Sequence, residues 1–138
     1  MNLTDILFLL TALGLLNAAY LYWQHWQYQE KSRPMFCPIG GRCEEVVQSK
    51  YARTFGVSND LGGILFYLVL AGLLALNQST FNQEIIVKLM VLAVFGGFVF
   101  STYLLYVQFF ILKKFCTWCL IANLINYAIF IIVLILFV

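Results

Sequence analysis

Cys116-Thr117-Trp118-Cys119 places two thiols at Cys-x-x-Cys spacing at the mouth of the long apolar run that ends the chain. On a helix that spacing is about one turn, near enough to close a disulfide or to share one metal ion, and the N-terminal end of a helix stabilises a thiolate. The remaining two cysteines, Cys37 and Cys43, also lie close together, inside the one long polar stretch. Five residues separate them, and Gly40 and Gly41 let the backbone turn sharply enough for the two thiols to pair. Four cysteines in two local pairs have the layout of a relay. Two duller readings stand beside it. Buried cysteines serve many proteins as inert small hydrophobes, and four thiolates can hold structural zinc, although zinc prefers two short knuckles and the Cys37–Cys43 gap suits it less well.

The setting for these thiols is a membrane. The 138 residues are 63% hydrophobic and only 10% charged, with a mean hydropathy of +0.91, whereas a soluble domain carries about 25% charged residues. A net charge of +2 with no basic, aromatic-interleaved surface excludes a nucleic-acid-binding protein.

Taken in order, the apolar stretch from Leu3 to Trp23 supplies the roughly 20 residues that a spanning helix needs. It is flanked by Tyr20, Tyr22, Trp23, Trp26 and Tyr28, an interfacial belt, and lacks a small-residue cleavage site, so it reads as a retained anchor. His25 sits within that belt and is expected to be a solvated interfacial histidine. Residues 24–59 form the polar loop. Within it Cys43, Val47, Tyr51 and Phe55 recur every fourth residue, which predicts a short amphipathic helix on the membrane face, closed by Gly56. Further spans are expected at about 60–76, 86–112 and 116–138. Ser58-Asn59-Asp60 caps the second, Ala93, Gly97 and Ser101 give the third a small-residue face, and Lys113-Lys114 ends it at the interface. Asn126 in the fourth reads as interhelical glue. The fold class is therefore an all-α integral membrane protein, a four-transmembrane-helix bundle forming one domain over 1–138. Counting spans puts Cys37, Cys43, Cys116 and Cys119 at the same face.

The order of these features carries a resemblance. A loop cysteine pair, an amphipathic stretch, Ser58-Asn59-Asp60-Leu61-Gly62-Gly63-Ile64-Leu65-Phe66-Tyr67, and a Cys-x-x-Cys opening the last helix together resemble the vitamin K epoxide reductase family along nearly the whole chain. The resemblance implies a four-helix bundle enclosing a quinone beside Cys116 and Cys119, with the loop pair taking electrons from a thioredoxin-like partner. By position, Cys119 would face the quinone, Cys116 would exchange with Cys43, and Cys37 would meet the partner. It implies quinone contacts at Ser58, Asn59, Gly62, Tyr67 and Asn123, with Asn59 matching the asparagine that bonds a quinone carbonyl. Asn123 stands where animal members carry a tyrosine, Gly62 where they carry a bulky aromatic, and the loop spacing is two residues shorter. These departures suit a microbial member that uses ubiquinone or menaquinone, with vitamin K quinone or epoxide reduction as the alternative, and a separate thioredoxin-like partner is expected because the sequence carries no fused domain of that kind. Thiol exchange proceeds through mixed disulfides, so carrying electrons from a water-soluble dithiol to a lipid-soluble acceptor needs one accessible pair and one pair at the acceptor's depth. This chain has one of each.

Other readings stay open. The disulfides could staple the loop of a non-enzymatic membrane subunit. The other four-helix thiol–quinone oxidoreductase family has its Cys-x-x-Cys in the first external loop, whereas here it comes last. Orientation is contested by two arguments. Lys31, Arg33, Arg42, Lys50, Arg53, Lys113 and Lys114 lie on the cysteine side and only Lys88 on the other, which favours a cytoplasmic thiol face, while disulfide-making chemistry favours an extracytoplasmic one. The chemistry is preferred, because a loop folded on the membrane is less governed by charge than a bare connector.

Overall fold

The structure, a computed structural model, describes residues 2–31, 53–54, 57–78, 83–113 and 116–137. Four helices dominate it: α1 (Leu3–Lys31), α2 (Asn59–Asn77), α3 (Gln83–Tyr106), which continues as a π-helical turn over Val107–Ile111, and α4 (Thr117–Phe137). All four are long and apolar enough to cross a membrane. A bilayer core offers no water to pair with backbone N–H and C=O groups, so a continuous helix is the form in which such sequences can span. The chain is a four-span integral membrane protein whose described residues are almost all helical.

Local chemistry sets the helix ends. At the start of α1, Asn2 Oδ1 accepts the Asp5 N–H at 3.0 Å and Asp5 Oδ2 accepts the Asn2 N–H at 3.4 Å, a reciprocal box that pairs two donors the first turn leaves open. The Asp60 carboxylate accepts the Leu61 N–H at 3.1 Å in the first turn of α2. Gln83 donates to the Asn77 carbonyl at 3.1 Å, tying the start of α3 to the end of α2. At the close of the π-helical turn the Leu112 N–H reaches back to the Val107 carbonyl at 2.8 Å. Lys113 then takes a left-handed conformation, φ 56°, which turns the chain out of the helix.

Two short strands, β1 (Arg53–Thr54) and β2 (Val57–Ser58), pair antiparallel ahead of α2. Most of the predicted amphipathic helix lies outside the described residues, as do Cys37 and Cys43. Of its last turn only Arg53 and Thr54 are described, and they form a strand ahead of Gly56, the predicted helix end. α1 also runs to Lys31 rather than stopping at Trp23. Gln24 and His25 are buried, so the polar residues after Trp23 begin as one face of a helix and not as a loop.

Each helix packs against two neighbours: α1 against α2 and α4, α3 against α2 and α4. The outer faces carry Leu16, Leu92, Leu124 and Ile135, largely exposed as a lipid-facing surface requires. The inner stripe of α1 runs Leu7, Thr11, Gly14, Ala18 and Leu21 to Gln24 and His25, the three- and four-residue recurrence of one helix face. Leu7, Leu70, Leu74, Ile86, Met90, Val94, Ile129 and Val133 fill the end of the bundle away from Cys116. Gly14 permits the close seat of Tyr67: a Cβ there would overlap the tyrosine ring. Tyr67 Oη donates to Asn126 Oδ1, and Asn126 Nδ2 donates to Ser101 Oγ at 2.8 Å. Asn126 thus bridges α2, α3 and α4, as its reading as glue expects.

Candidate functional site

Beyond the packed end the helices part around open space. A cavity of about 380 Å³ lies among all four helices at the cysteine end. Its wall is mostly apolar, with Ala18, Gly63, Ala93, Gly96, Gly97 and Ala122 contributing small residues that leave room. A Cβ built at Gly62 or Gly96 would meet nothing within 4 Å. Those positions border free space, whereas Gly97 is pressed against the Phe66 ring, where a Cβ would come within 3.0 Å of Cζ.

The Cys-x-x-Cys pair stands at the head of this cavity, and its two thiols differ. Cys119 lines the cavity, while Cys116 is 0% exposed behind it, packed with Leu21, Tyr28, Leu112 and Trp118. Both are free thiols. The Cys119 N–H points at Cys116 Sγ at 3.4 Å, and the Cys116 carbonyl accepts the Leu120 N–H at 2.9 Å as α4 opens. The Cys119 side chain hydrogen-bonds Cys116 and holds its thiol below the ordinary range. Burial and the negative charge of Asp60 oppose that shift without cancelling it.

Two polar side chains from other helices fix this turn. Gln108, 2% exposed in the π-helical turn, accepts the Cys116 N–H on its Oε1 at 2.9 Å. A π-helical turn rotates the residues that follow it relative to the α-helix before, a device common at functional sites. Asn17 of α1 donates from Nδ2 to the Trp118 carbonyl at 3.0 Å, and Tyr20 meets the Trp118 ring edge-on at a centroid distance of 5.0 Å.

Of the residues singled out from sequence, Asn59, Gly62, Tyr67, Cys119 and Asn123 all line the cavity. The Tyr67 hydroxyl is committed to Asn126, so the ring forms wall rather than offering a free donor. Asn123 is 3% exposed, and its Nδ2 has no hydrogen-bond partner among the described residues. A buried N–H without an acceptor costs about 1–3 kcal/mol, so this donor beside an apolar cavity fits a guest that brings an acceptor oxygen. Ser58 sits in β2, directly ahead of α2. Cys37 and Cys43 fall outside the described residues.

His25 is where the expectation from sequence fails. It is 7% exposed and is no solvated belt residue; its Nδ1 lies 3.2 Å from Asp60 Oδ2, and Asp60 is itself 8% exposed. Both line the cavity. Asn17, Leu21 and His25 follow one another at four-residue intervals, and that helical spacing was the signal that could have assigned His25 inward. Gln108 and Asn17 are single polar residues in apolar runs, the same kind of signal for an inward face.

A four-helix membrane bundle that presents a Cys-x-x-Cys to an apolar cavity points to a class: membrane-embedded oxidoreductases. The model of the vitamin K epoxide reductase family matches residues 6–134, and the chain belongs to that family. Its members are in general membrane oxidoreductases concerned with disulfide generation or quinone chemistry.

Proposed function

We propose that this protein is a thiol–quinone oxidoreductase that oxidises a separate thioredoxin-like protein and thereby supports disulfide-bond formation. The observation that carries the reading is that Cys119 and the unpartnered amide N–H of Asn123 border the same apolar cavity. A quinone head is flat and apolar and carries carbonyl oxygens that accept hydrogen bonds, so wall and donor both fit it. When bound, it supplies an acceptor for two electrons and two protons, with ubiquinone or menaquinone as the expected species. Asn123, Asn59 and the walls formed by Gly62 and Tyr67 would hold it.

The chain's own steps follow thiol-exchange rules. The partner's dithiol attacks the Cys37–Cys43 disulfide and leaves oxidised. Cys43 then attacks Cys116 of a Cys116–Cys119 disulfide, Cys119 departs as thiolate, and Cys37 resolves the mixed disulfide to restore Cys37–Cys43. Cys116 and Cys119 are left as a dithiol, which returns to the disulfide by surrendering two electrons and two protons inside the cavity. The Cys119 N–H donates to Cys116 Sγ at 3.4 Å, a bond that favours the Cys116 thiolate. The cysteine face is extracytoplasmic in this reading, in a bacterial or archaeal cell membrane.

Purified protein in lipid, supplied with dithiothreitol and a short-chain ubiquinone or menaquinone, tests it. Cys119→Ala abolishes quinone reduction. Cys37→Ala blocks oxidation of a thioredoxin-like partner but spares dithiothreitol-driven turnover. A Cys37→Ala protein that oxidises the partner at full rate would overturn the assigned order, and wild-type protein that reduces no quinone would overturn the function. Cysteine labelling in intact cells reads the orientation.

A further inference from the structure

The buried His25–Asp60 pair at the cavity has no part in the thiol relay. His25 comes from α1 and Asp60 from α2, 35 residues apart in the chain, so neither is there to cap the other's helix end. Nδ1 of His25 faces the Asp60 carboxylate at 3.2 Å. Its second ring nitrogen, Nε2, is buried without a hydrogen-bond partner among the described residues, in a side chain that lines the cavity.

An imidazole backed by a carboxylate is a fixed tautomer. The Nδ1 proton is held by Asp60, and Nε2 is left to take up or release a proton toward whatever it faces. The same cavity wall carries Cys119 from α4 and Tyr67 from α2, and the Tyr67 hydroxyl is committed to Asn126. No Lys, Arg or Glu lines the cavity among the described residues. Asp60 is near enough to the thiol pair for its charge to act on Cys116. Among the described groups bordering the cavity, the His25 Nε2 is a buried ring nitrogen with no hydrogen-bond partner.

We propose that His25 is the proton donor to the acceptor's carbonyl oxygen and that Asp60 is its positioning residue. The proposal rests on the quinone reading above. The balance is simple. Closing the Cys116–Cys119 disulfide sheds two electrons and two protons, and forming a quinol consumes both pairs. Protonated His25 gives its Nε2 proton to one oxygen and recovers a proton from the dithiol as the S–S bond forms; the dithiol's other proton completes the quinol. Nothing beyond the dithiol and the quinone is needed.

The test uses the full chain in lipid nanodiscs with a short-chain ubiquinone, reading quinone binding by quenching of tryptophan fluorescence and turnover by dithiothreitol-driven quinol formation. His25→Gln retains an N–H donor but cannot cycle a proton. Its quinone Kd stays within about threefold of wild type while turnover falls about 100-fold, the ordinary scale of a lost general acid. Asp60→Asn shows a similar loss, and the double variant is no slower than either single one, because the two act as a unit. His25→Ala regains turnover when imidazole is added, which a purely structural pair would not allow. Wild-type turnover slows in D2O, and that isotope effect changes in His25→Gln. If His25→Gln binds quinone and turns over within twofold of wild type, the dyad proposal falls and the quinone reading stands. If both single variants lose quinone binding and thermal stability in parallel with turnover and imidazole rescues nothing, the pair is structural and the proposal is overturned. If wild-type protein binds no quinone, both readings fall together.

Discussion

Gln108 Oε1 accepts the backbone N–H of Cys116 at 2.9 Å, so the π-helical turn that ends α3 holds the residue that opens α4. The bond crosses the turn at Lys113 and sets where the Cys-x-x-Cys begins. Gln108→Leu removes the acceptor and leaves a buried N–H unpaired, a cost of about 1–3 kcal/mol, whereas Gln108→Glu keeps an acceptor oxygen. Thermal unfolding in lipid should show a clearly lowered midpoint for the leucine variant and a smaller loss for the glutamate. Cys116 should also become more reactive to alkylation in the leucine variant as its cover loosens. Equal midpoints for Gln108→Leu and wild type would show that the bond does not hold the turn.

Gly14 lies under Tyr67 so closely that a Cβ would overlap the ring. Gly14→Ala must therefore push the tyrosine away from α1 and disturb its bond to Asn126. Overpacking of this kind costs about 1–3 kcal/mol. Gly63→Ala is the control, because its Cβ would stand 3.5 Å from the Ala18 methyl, an ordinary contact. The expected result is a destabilised Gly14→Ala protein and an unchanged Gly63→Ala protein in the same unfolding assay.

How far the sequence shows these features depends on what averaging does to them. Four spans are visible because each apolar run is about as long as a bilayer core is thick whichever way its faces point, and counting spans then gathers the helix ends that meet at Cys116. A face is harder to see. His25 stands among Tyr20, Tyr22, Trp23 and Trp26, whose types suggest an interface, while its own direction is set by the Asn17–Leu21–His25 spacing. Asp60 reads as a cap because the residues around it are polar, and it does accept the Leu61 N–H; its second role needs a histidine brought from another helix. Gln108 faces Cys116 through a π-helical turn, and no hydropathy pattern announces such a turn. Asn123, by contrast, is an isolated amide one turn below Cys119, and the structure puts it at the cavity.

The Cys116 thiol is held below the ordinary range, with the Cys119 side chain as the main cause. Titrating thiolate absorbance in a Cys37→Ser/Cys43→Ser background should show thiolate appearing at lower pH than for an unperturbed cysteine. Cys119→Ser retains a hydrogen-bond donor and keeps most of the shift. Cys119→Ala removes the donor and leaves only the backbone N–H groups of Trp118 and Cys119 against burial and Asp60, so its thiolate appears at higher pH than in the serine variant. A Cys116 titration identical in the serine and alanine variants would assign the lowering to backbone N–H groups instead.

Gly62 gives the most direct access to the cavity. It lies in its wall, and a Cβ there meets nothing within 4 Å, so a leucine can extend into the space a quinone head would occupy without displacing protein atoms. Replacing a helical glycine also gains up to about 1 kcal/mol of helix propensity. Gly62→Leu should therefore match or exceed wild type in thermal stability while weakening binding of a short-chain ubiquinone at least about tenfold, a difference of about 1.4 kcal/mol. Gly72→Leu offers the comparison: its Cβ is equally unobstructed, but the position is not in the cavity wall, so affinity should stay at the wild-type value. Stability and affinity move in opposite directions at Gly62 only if the space beside it is where the acceptor binds. Undiminished quinone affinity in a folded Gly62→Leu protein would place the acceptor elsewhere.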